Sequence, residues 1–382
     1  MDVHHLLILK ILKNRELSEL YAMMSLRSMA MSLISIFVPI YLYTLGYGIP
    51  TILLFYIAAS ATHALMSPVS AKISSHIGFK HGMLLGFLGY FLYYVMLAML
   101  GTNSQLLYIT AATYGVSQAF FWIPFHAFFP ALTDSRKRGE EVALLQIFPG
   151  IFSIIAPLIG GLIIFFADFD TLFIAGLGFL MAAAFPLLMS KDIRMPFRFS
   201  MQVKGFDKRL AVSLVSYSDI LNETLWPIFI FTIVGSAAVL GGIMALGVLV
   251  GFAIAWIIGS MCDRGYRKKI LQFGSVGQSV IWTFRAFASN LVYIVGVESA
   301  WRFVSKFTEV SYNSAYYERA RKARRKLEFA VLREISINAS VVGVFALIYL
   351  FYSHIPNLAA IFIIALIGPL TSMLIEAKSQ NL

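Results

Sequence analysis

The length, composition and charge of the chain exclude most classes of soluble protein. Of its 382 residues, 59% are hydrophobic and 13% are charged, and the mean hydropathy is +0.80, whereas soluble domains average about 45–50% apolar and about 25% charged residues. The net charge of +11 comes from short basic segments between long apolar runs, which excludes a basic nucleic-acid-binding surface, and the single cysteine, Cys262, excludes a disulfide framework.

The predicted elements are twelve membrane-spanning helices, because twelve runs approach the roughly 20 apolar residues that cross a bilayer. They lie near 22–46, 50–71, 81–101, 104–131, 142–167, 171–190, 209–234, 237–261, 269–288, 290–315, 329–353 and 355–376. Residues 3–12 precede them as a predicted interfacial amphipathic helix, and no cleavable signal is expected. The sequence therefore predicts an all-α polytopic membrane protein.

Lysine and arginine are concentrated in alternate loops and near the two ends of the chain. These basic segments are 10–15, 72–80, 136–138, 191–209, 264–269, 319–326 and 378. The six other loops, among them 46–50 and 101–105, contain neither residue. The positive-inside rule then predicts that both termini are cytoplasmic, and we expect the protein in the plasma membrane.

The sequence contains an internal repeat at an offset of 188 residues. Residues 39–44 (PIYLYT) align with 227–232 (PIFIFT), 71–81 with 259–269, and 135–147 with 323–335. Agreement of three separate matches on one offset predicts two parallel copies of a six-helix unit. The predicted domains are 1–190, of which 1–20 are cytoplasmic or interfacial, and 209–382, joined by a cytoplasmic linker over 191–208.

Two parallel six-helix halves with basic cytoplasmic loops resemble the major facilitator superfamily of secondary transporters, over essentially the whole chain. The superfamily's signature loop, roughly G-x-x-x-D-R-x-G-R-R, follows its second and eighth spans. The second half of this chain matches it at Gly259, Asp263, Arg264, Gly265, Arg267 and Lys268. The first half retains only Gly78 and Lys80, since Ala71, Ser75 and His76 replace the other positions. The resemblance implies a cytoplasmic latch whose acid faces a helix N-terminus. Only Asp263 is expected to do this with a full charge, so we expect asymmetric gating.

Span five resembles a motif of proton-coupled exporters, G-P-x-x-G-G. Ala156 replaces its first glycine, whereas Pro157, Gly160 and Gly161 match and are gating candidates through close helix contact beside a proline bend. The exporters' span-four arginine is replaced by Ala111. Export is therefore favoured only slightly over uptake.

Charged residues inside predicted spans are functional candidates, because each costs at least about 2.5–3.5 kcal/mol at bilayer depth. Asp219 and Glu223 lie one turn apart in span seven and are the candidate proton-coupling carboxylates. The resemblance implies that spans one, four, seven and ten line a central cavity. The candidate substrate-binding residues there are Arg302, Lys306, Glu298, Trp226, Gln118, Trp122, His126 and Tyr41.

A structural alternative stays open for these charges, namely that acids and bases neutralise one another. We further expect Arg333 and Glu334 to form a clamp at the cytoplasmic end, His63 to be a packing residue, and Arg285 to snorkel or to pair with an acid.

The function predicted is proton-coupled secondary transport of a small organic solute by alternating access, by an antiporter for which export is slightly favoured over uptake. The partners expected are this solute, protons and membrane lipids, without nucleic acid or an obligatory protein partner. No enzyme activity, cofactor or metal site is expected, since phosphate-loop and zinc-site motifs are absent from the sequence. The alternatives are uptake of a sugar, organic acid or nucleoside-like solute, a lipid carrier, and a non-transporting scaffold.

Overall fold

The computed structural model describes residues 15–132, 138–189, 192–217, 220–355 and 357–376. Within these ranges the chain is helical and contains no strand. The amphipathic helix expected over 3–12 lies outside the described residues, as does Asp219.

The helices follow the order of the predicted spans. The first half contains α1 (Arg15–Thr44), α2 (Ile49–Ile77), α3 (Phe79–Met99), α4 (Leu107–Leu132), α5 (Arg138–Phe166) and α6 (Phe169–Ala184). The second half contains α7a (Lys208–Tyr217), α7b (Ile220–Val234), α8 (Ala237–Met261), α9 (Arg267–Arg285), α10 (Leu291–Lys322), α11 (Lys326–Phe351) and α12 (Leu358–Glu376). A 3-10 turn at Ser35–Phe37 interrupts α1, and α12 ends in 3-10 geometry.

In the described part of the chain, nine helices are long and apolar enough to cross a membrane, namely α1 to α6, α8, α11 and α12. The other three predicted spans fall on α7, α9 and α10. The two described segments of α7 are each shorter than a span, and α9 and α10 carry several charged side chains, which lower their hydropathy. The architecture is consistent with twelve spans, and the all-α membrane fold is confirmed.

The same helix pairings occur in both halves. Helix α4 packs against α2 and α3, and α10 packs in the equivalent way against α8 and α9. Between the halves, α2 packs against α11 and α5 against α8, so these contacts are also related by the repeat. Large apolar side chains such as Leu65, Phe166 and Val292 point outwards, as expected of a surface that faces lipid.

The described loops that carry lysine and arginine lie at one end of the helix bundle, which we call the basic end. The turn between α2 and α3 and the turn between α8 and α9 are both at this end. Each contains a glycine with left-handed backbone, Gly78 (φ 108°) and Gly265 (φ 89°). A side chain at either position would strain the backbone, so glycine is required for the sharp reversal.

Candidate transport site

The second half contains a fully buried carboxylate, that of Glu298 on α10. It accepts hydrogen bonds from Arg285 Nη2 at 2.7 Å, Arg302 Nε at 2.7 Å and Trp226 Nε1 at 2.9 Å. These donors come from α9, α10 and α7b. Glu298, Arg302 and Trp226, three of the predicted site residues, therefore lie together and tie three helices to one another.

Arg285 completes this cluster from a position that the sequence did not single out for the site. Its guanidinium lies 4.3–4.7 Å from the rings of Trp226, Trp282 and Trp301, and its Nη1 donates to Asn222 Oδ1 at 2.8 Å. Arginine over tryptophan faces is stabilised by the ring quadrupoles, which offsets part of the cost of burying the charge. Of the two arrangements expected for Arg285, pairing with an acid is the one observed.

Glu223 on α7b lies between the two halves. Its side chain is solvent-accessible, and it is within electrostatic range of Arg302 in its own half and of Tyr56 and Tyr114 in the other. Among the described residues it makes no ion pair within 4 Å. A carboxylate in this position can exchange a proton with water, and its affinity for the proton depends on the nearby arginine.

Lys306 lies one turn beyond Arg302 on α10. Its Nζ contacts Glu309 Oε2 at 2.5 Å. The side chains of Arg302 and Lys306 pass close to Gly247 and Gly251 of α8, where an added Cβ would lie 2.9 and 3.2 Å from them. Small residues on α8 thus leave room for the long basic side chains of α10.

The first half presents a polar and aromatic cluster around Gln118 and Trp122 of α4. Gln118 Oε1 accepts from Tyr90 Oη at 2.7 Å and from Trp122 Nε1 at 2.8 Å. Arg27 of α1 donates to Tyr90 Oη at 2.8 Å, and its guanidinium lies 4.0 Å from the Phe121 ring and 4.7 Å from the Trp122 ring. The repeat offset of 188 residues relates Gln118 to Lys306, so equivalent positions are polar in one half and charged in the other.

Tyr41 lies apart from these clusters, whereas His126 stacks on Trp122 with the ring centroids 5.3 Å apart and also contacts the second half. The Tyr41 ring packs against Phe169 and Phe173 at 5.0 and 5.1 Å, on the side of α1 that meets α6. The Nε2 atom of His126 lies 3.0 Å from Arg333 Nη1 on α11. His126 therefore belongs to a contact between the halves that is nearer the basic end.

The glycines of the exporter-like motif in α5 face two different helices. A Cβ at Gly160 would lie 2.4 Å from Leu33 O of α1, and one at Gly161 would lie 2.4 Å from Ala237 O of α8. Gly241 of α8 belongs to the same contact, because a Cβ added there would lie 2.3 Å from Pro157 O of α5. The motif brings α1, α5 and α8 into backbone contact across the two halves.

The family model described as Major Facilitator Superfamily matches residues 20–200. The Escherichia coli fucose:proton symporter has the same fold, with 13% identity, 96% of this chain and 98% of that chain covered, and a TM-score of 0.64. The first half of the chain is therefore similar to the major facilitator superfamily in sequence, and 96% of the chain aligns with the symporter in fold. A human organic anion transporter is similar at 12% identity, 94% and 98% coverage and a TM-score of 0.66. A bacterial homologue of the iron transporter ferroportin, in its outward-facing state, is similar at 16% identity, 95% and 100% coverage and a TM-score of 0.65.

No curated protein matches the chain significantly in sequence. At the identities found for the solved structures, the similarity concerns the fold. The resemblance inferred from the signature loop and the repeat is nevertheless confirmed, and the protein has the multi-pass helical membrane fold of these transporters.

The superfamily's signature loop has an unexpected acid in the first half. Asp192, from the linker, accepts hydrogen bonds from Lys80 N at 2.9 Å and His81 N at 3.1 Å, at the N-terminus of α3. A Cβ at Gly78 would lie 2.1 Å from the same carboxylate. The expectation that only Asp263 can supply a full negative charge to this latch is wrong, because a residue outside the motif supplies it.

The remaining gating candidates lie near this end of the bundle. Lys80 Nζ contacts Glu19 Oε2 of α1 at 3.0 Å, and both side chains are buried. In the second half, Arg264 is exposed and Gly259 has open space beside it, while the side chain of Asp263 is not among those described. The Arg267 guanidinium donates to Glu318 and holds the pKa of that carboxyl below its usual value, which joins α9 to the end of α10.

Sequence reasoning missed Asp192, Trp282 and Trp301, and it expected Arg285 to snorkel or to pair with an acid without assigning it to the site. One signal was available for Arg285, since a charged residue in a predicted span is a candidate by default. Asp192 carried no signal, because the helix end that it caps lies far from it in the sequence.

Proposed function

We propose that this protein is a proton-coupled secondary transporter that moves a small organic solute by alternating access. The observation that carries the proposal is the position of Glu223, an accessible carboxylate between the halves with Arg302 in its own half and tyrosines opposite. A proton on this carboxylate changes its attraction for the arginine, so proton binding and the arrangement of the cavity are linked. Asp219, four residues before Glu223 in the sequence, is proposed as the second coupling carboxylate.

The solute is proposed to carry an anionic group that Arg302 and Lys306 hold. Both side chains have carboxylate neighbours, Glu298 and Glu309, and a solute anion would compete with these carboxylates for the cationic groups. Gln118 and Trp122 on the opposite half would supply hydrogen bonds and an aromatic surface. Such a solute is consistent with the organic anion transporter among the similar structures, although that substrate class belongs to the other protein.

The transport cycle would alternate the contacts between the halves. Backbone contact of α5 with α8, through Gly161 and Gly241, supports rocking around a close helix crossing. We propose that the basic end is cytoplasmic, with both termini there, and that export is the favoured direction in a plasma membrane. The signature loop and the Asp192 contact at α3 would stabilise the closed cytoplasmic side.

The test is proton flux in proteoliposomes that contain a pH-sensitive dye. A chemically broad panel of organic anions and neutral solutes is added under an imposed pH gradient. We expect at least one compound to trigger a pH change in the wild type and in Asp170→Asn, an exposed aspartate of α6 outside the site. In Glu223→Gln the response is expected to fall to the rate of protein-free vesicles.

The sign of the pH change separates antiport from symport. Unchanged flux in a variant carrying both Asp219→Asn and Glu223→Gln would remove these carboxylates from the mechanism. No response to any compound in the wild type would contradict proton coupling and favour a uniporter, a lipid carrier or a scaffold.

A further inference from the structure

We infer that His63 and Glu334 form a second proton site, one that closes the two halves against each other in the half of the membrane nearer the basic end. His63 lies on α2 of the first half, and Glu334 on α11 of the second. The inference rests on the proposed function only in treating this closure as a transport step. The closure itself can be measured without a substrate.

The site is almost completely buried. The side chains of His63 and Glu334 are 8% and 4% exposed. His63 Nε2 lies 3.4 Å from Glu334 Oε2, yet it has no hydrogen-bond partner in the described structure. A buried ring nitrogen that faces a carboxylate oxygen at this distance is positioned to hold a proton between them.

His126 of α4 faces the same carboxylate but has a different role. Its Nε2 lies 3.0 Å from Arg333 Nη1 and 3.6 Å from Glu334 Oε1. A guanidinium is always a donor, so Nε2 of His126 accepts this hydrogen bond and His126 is neutral. His63 is therefore the histidine that takes the proton, and His126 positions Arg333.

The charges around the Glu334 carboxylate favour the addition of one positive charge but not of two. Glu334 already accepts a hydrogen bond from Arg333, its neighbour on α11. A single imidazolium at His63 adds attraction, whereas a second at His126 would repel both His63 and Arg333. The other titratable groups near Glu334 are Tyr316 of α10, 5.3 Å from the Arg333 guanidinium, and Tyr90 of α3, within electrostatic range of Glu334.

Protonation changes the attraction between the halves, because of where these residues lie in the sequence. Arg333 and Glu334 are on the same helix, so their ion pair holds no helices together. When His63 is neutral, the polar contact of this cluster that crosses between the halves is the hydrogen bond of Arg333 to His126. A proton on His63 adds an ion pair between α2 and α11, which favours the closed arrangement.

The cluster borders a small cavity on the side of the basic end. The cavity, beside His126, is lined by Tyr316, Tyr317, Phe329 and Lys326, and Lys326 is the first residue of α11. Water in this cavity would be separated from Glu334 by a single side chain, so protons could be exchanged with the cluster from there.

The experiment measures the distance between the halves as a function of pH. The full-length protein in nanodiscs carries Cys262→Ser and two spin labels at the basic end, introduced by Lys72→Cys on α2 and Arg324→Cys before α11. Both positions are exposed. Distance distributions from double electron–electron resonance are recorded between about pH 5 and 8, where an imidazole changes its charge.

In the wild type we expect the short-distance population to grow as the pH falls, with a single midpoint. His63→Gln and Glu334→Gln remove the proton acceptor and the carboxylate charge, and both should abolish the shift. His126→Gln keeps an acceptor for Arg333 and should keep the shift. The control His354→Gln, an exposed histidine at the opposite end, should also keep it.

A pH-independent distance in the wild type overturns the inference. A shift of normal size in His63→Gln overturns it as well, and the nearly isosteric Glu334→Gln tests the same point if His63→Gln does not fold. Because the labelled protein is studied without a solute, these results stand whether or not the proton-flux experiment succeeds.

Discussion

Removal of the Glu298 charge is expected to destabilise the second half strongly. Glu298→Gln keeps the size of the side chain and an acceptor for Trp226, but it removes the carboxylate that balances Arg285 and Arg302. Both Glu298 and Arg285 are 0% exposed, so water cannot replace the lost interaction. Removing one partner of a buried ion pair costs about 3–5 kcal/mol, because the other charge stays buried.

The assay is thermal unfolding of the purified protein, followed by tryptophan fluorescence at a fixed heating rate. In a unit of 150–250 residues, 1 kcal/mol corresponds to roughly 2–4 °C, so Glu298→Gln should lower the Tm by about 6–20 °C. The matched control is Glu309→Gln on the same helix. Glu309 also forms an ion pair, with Lys306, but its side chain is 42% exposed, and the expected loss is at most about 1 kcal/mol.

Equal Tm losses in the two variants would refute the reasoning, since burial would then make no difference. A second check comes from Arg285→Met combined with Glu298→Gln. The double variant removes both buried charges and should recover part of the loss, because no fully buried charge is left without its partner. Additive losses would mean that the two residues do not stabilise the fold as a pair.

Two further predictions concern packing and the linker. Gly241→Ala should cost about 1–3 kcal/mol by forcing α8 away from α5, whereas Gly242→Ala, whose Cβ would only reach van der Waals contact with Leu158 Cδ1 at 4.0 Å, should be neutral or stabilising by thermal unfolding. Asp192→Ala should weaken the capped N-terminus of α3 by about 1–2 kcal/mol and speed tryptic cleavage after Arg194 of the linker. Asp168→Ala removes the side-chain cap of α6 at the opposite end and should leave that cleavage rate unchanged; equal rates in both variants would contradict the linker contact.

The sequence alone determined the membrane fold of this protein. A bilayer leaves no water to satisfy the backbone, so each span must be a helix of about 20 apolar residues, and such runs are visible locally. The repeat was visible because both copies retain residues such as Pro39 and Pro227 at one offset. The spacing of Glu298 and Arg302 by four residues places them on one face of α10, where they are hydrogen-bonded.

The tertiary structure alone decided which charges meet across helices. Arg285 contacts Glu298, His63 contacts Glu334, and Asp192 caps the N-terminus of α3. Each of these contacts depends on how far a helix is rotated about its axis and shifted along its neighbour. Backbone contacts between helices, such as that of Gly241 with Pro157, set that rotation and shift, and they join residues that are distant in the chain.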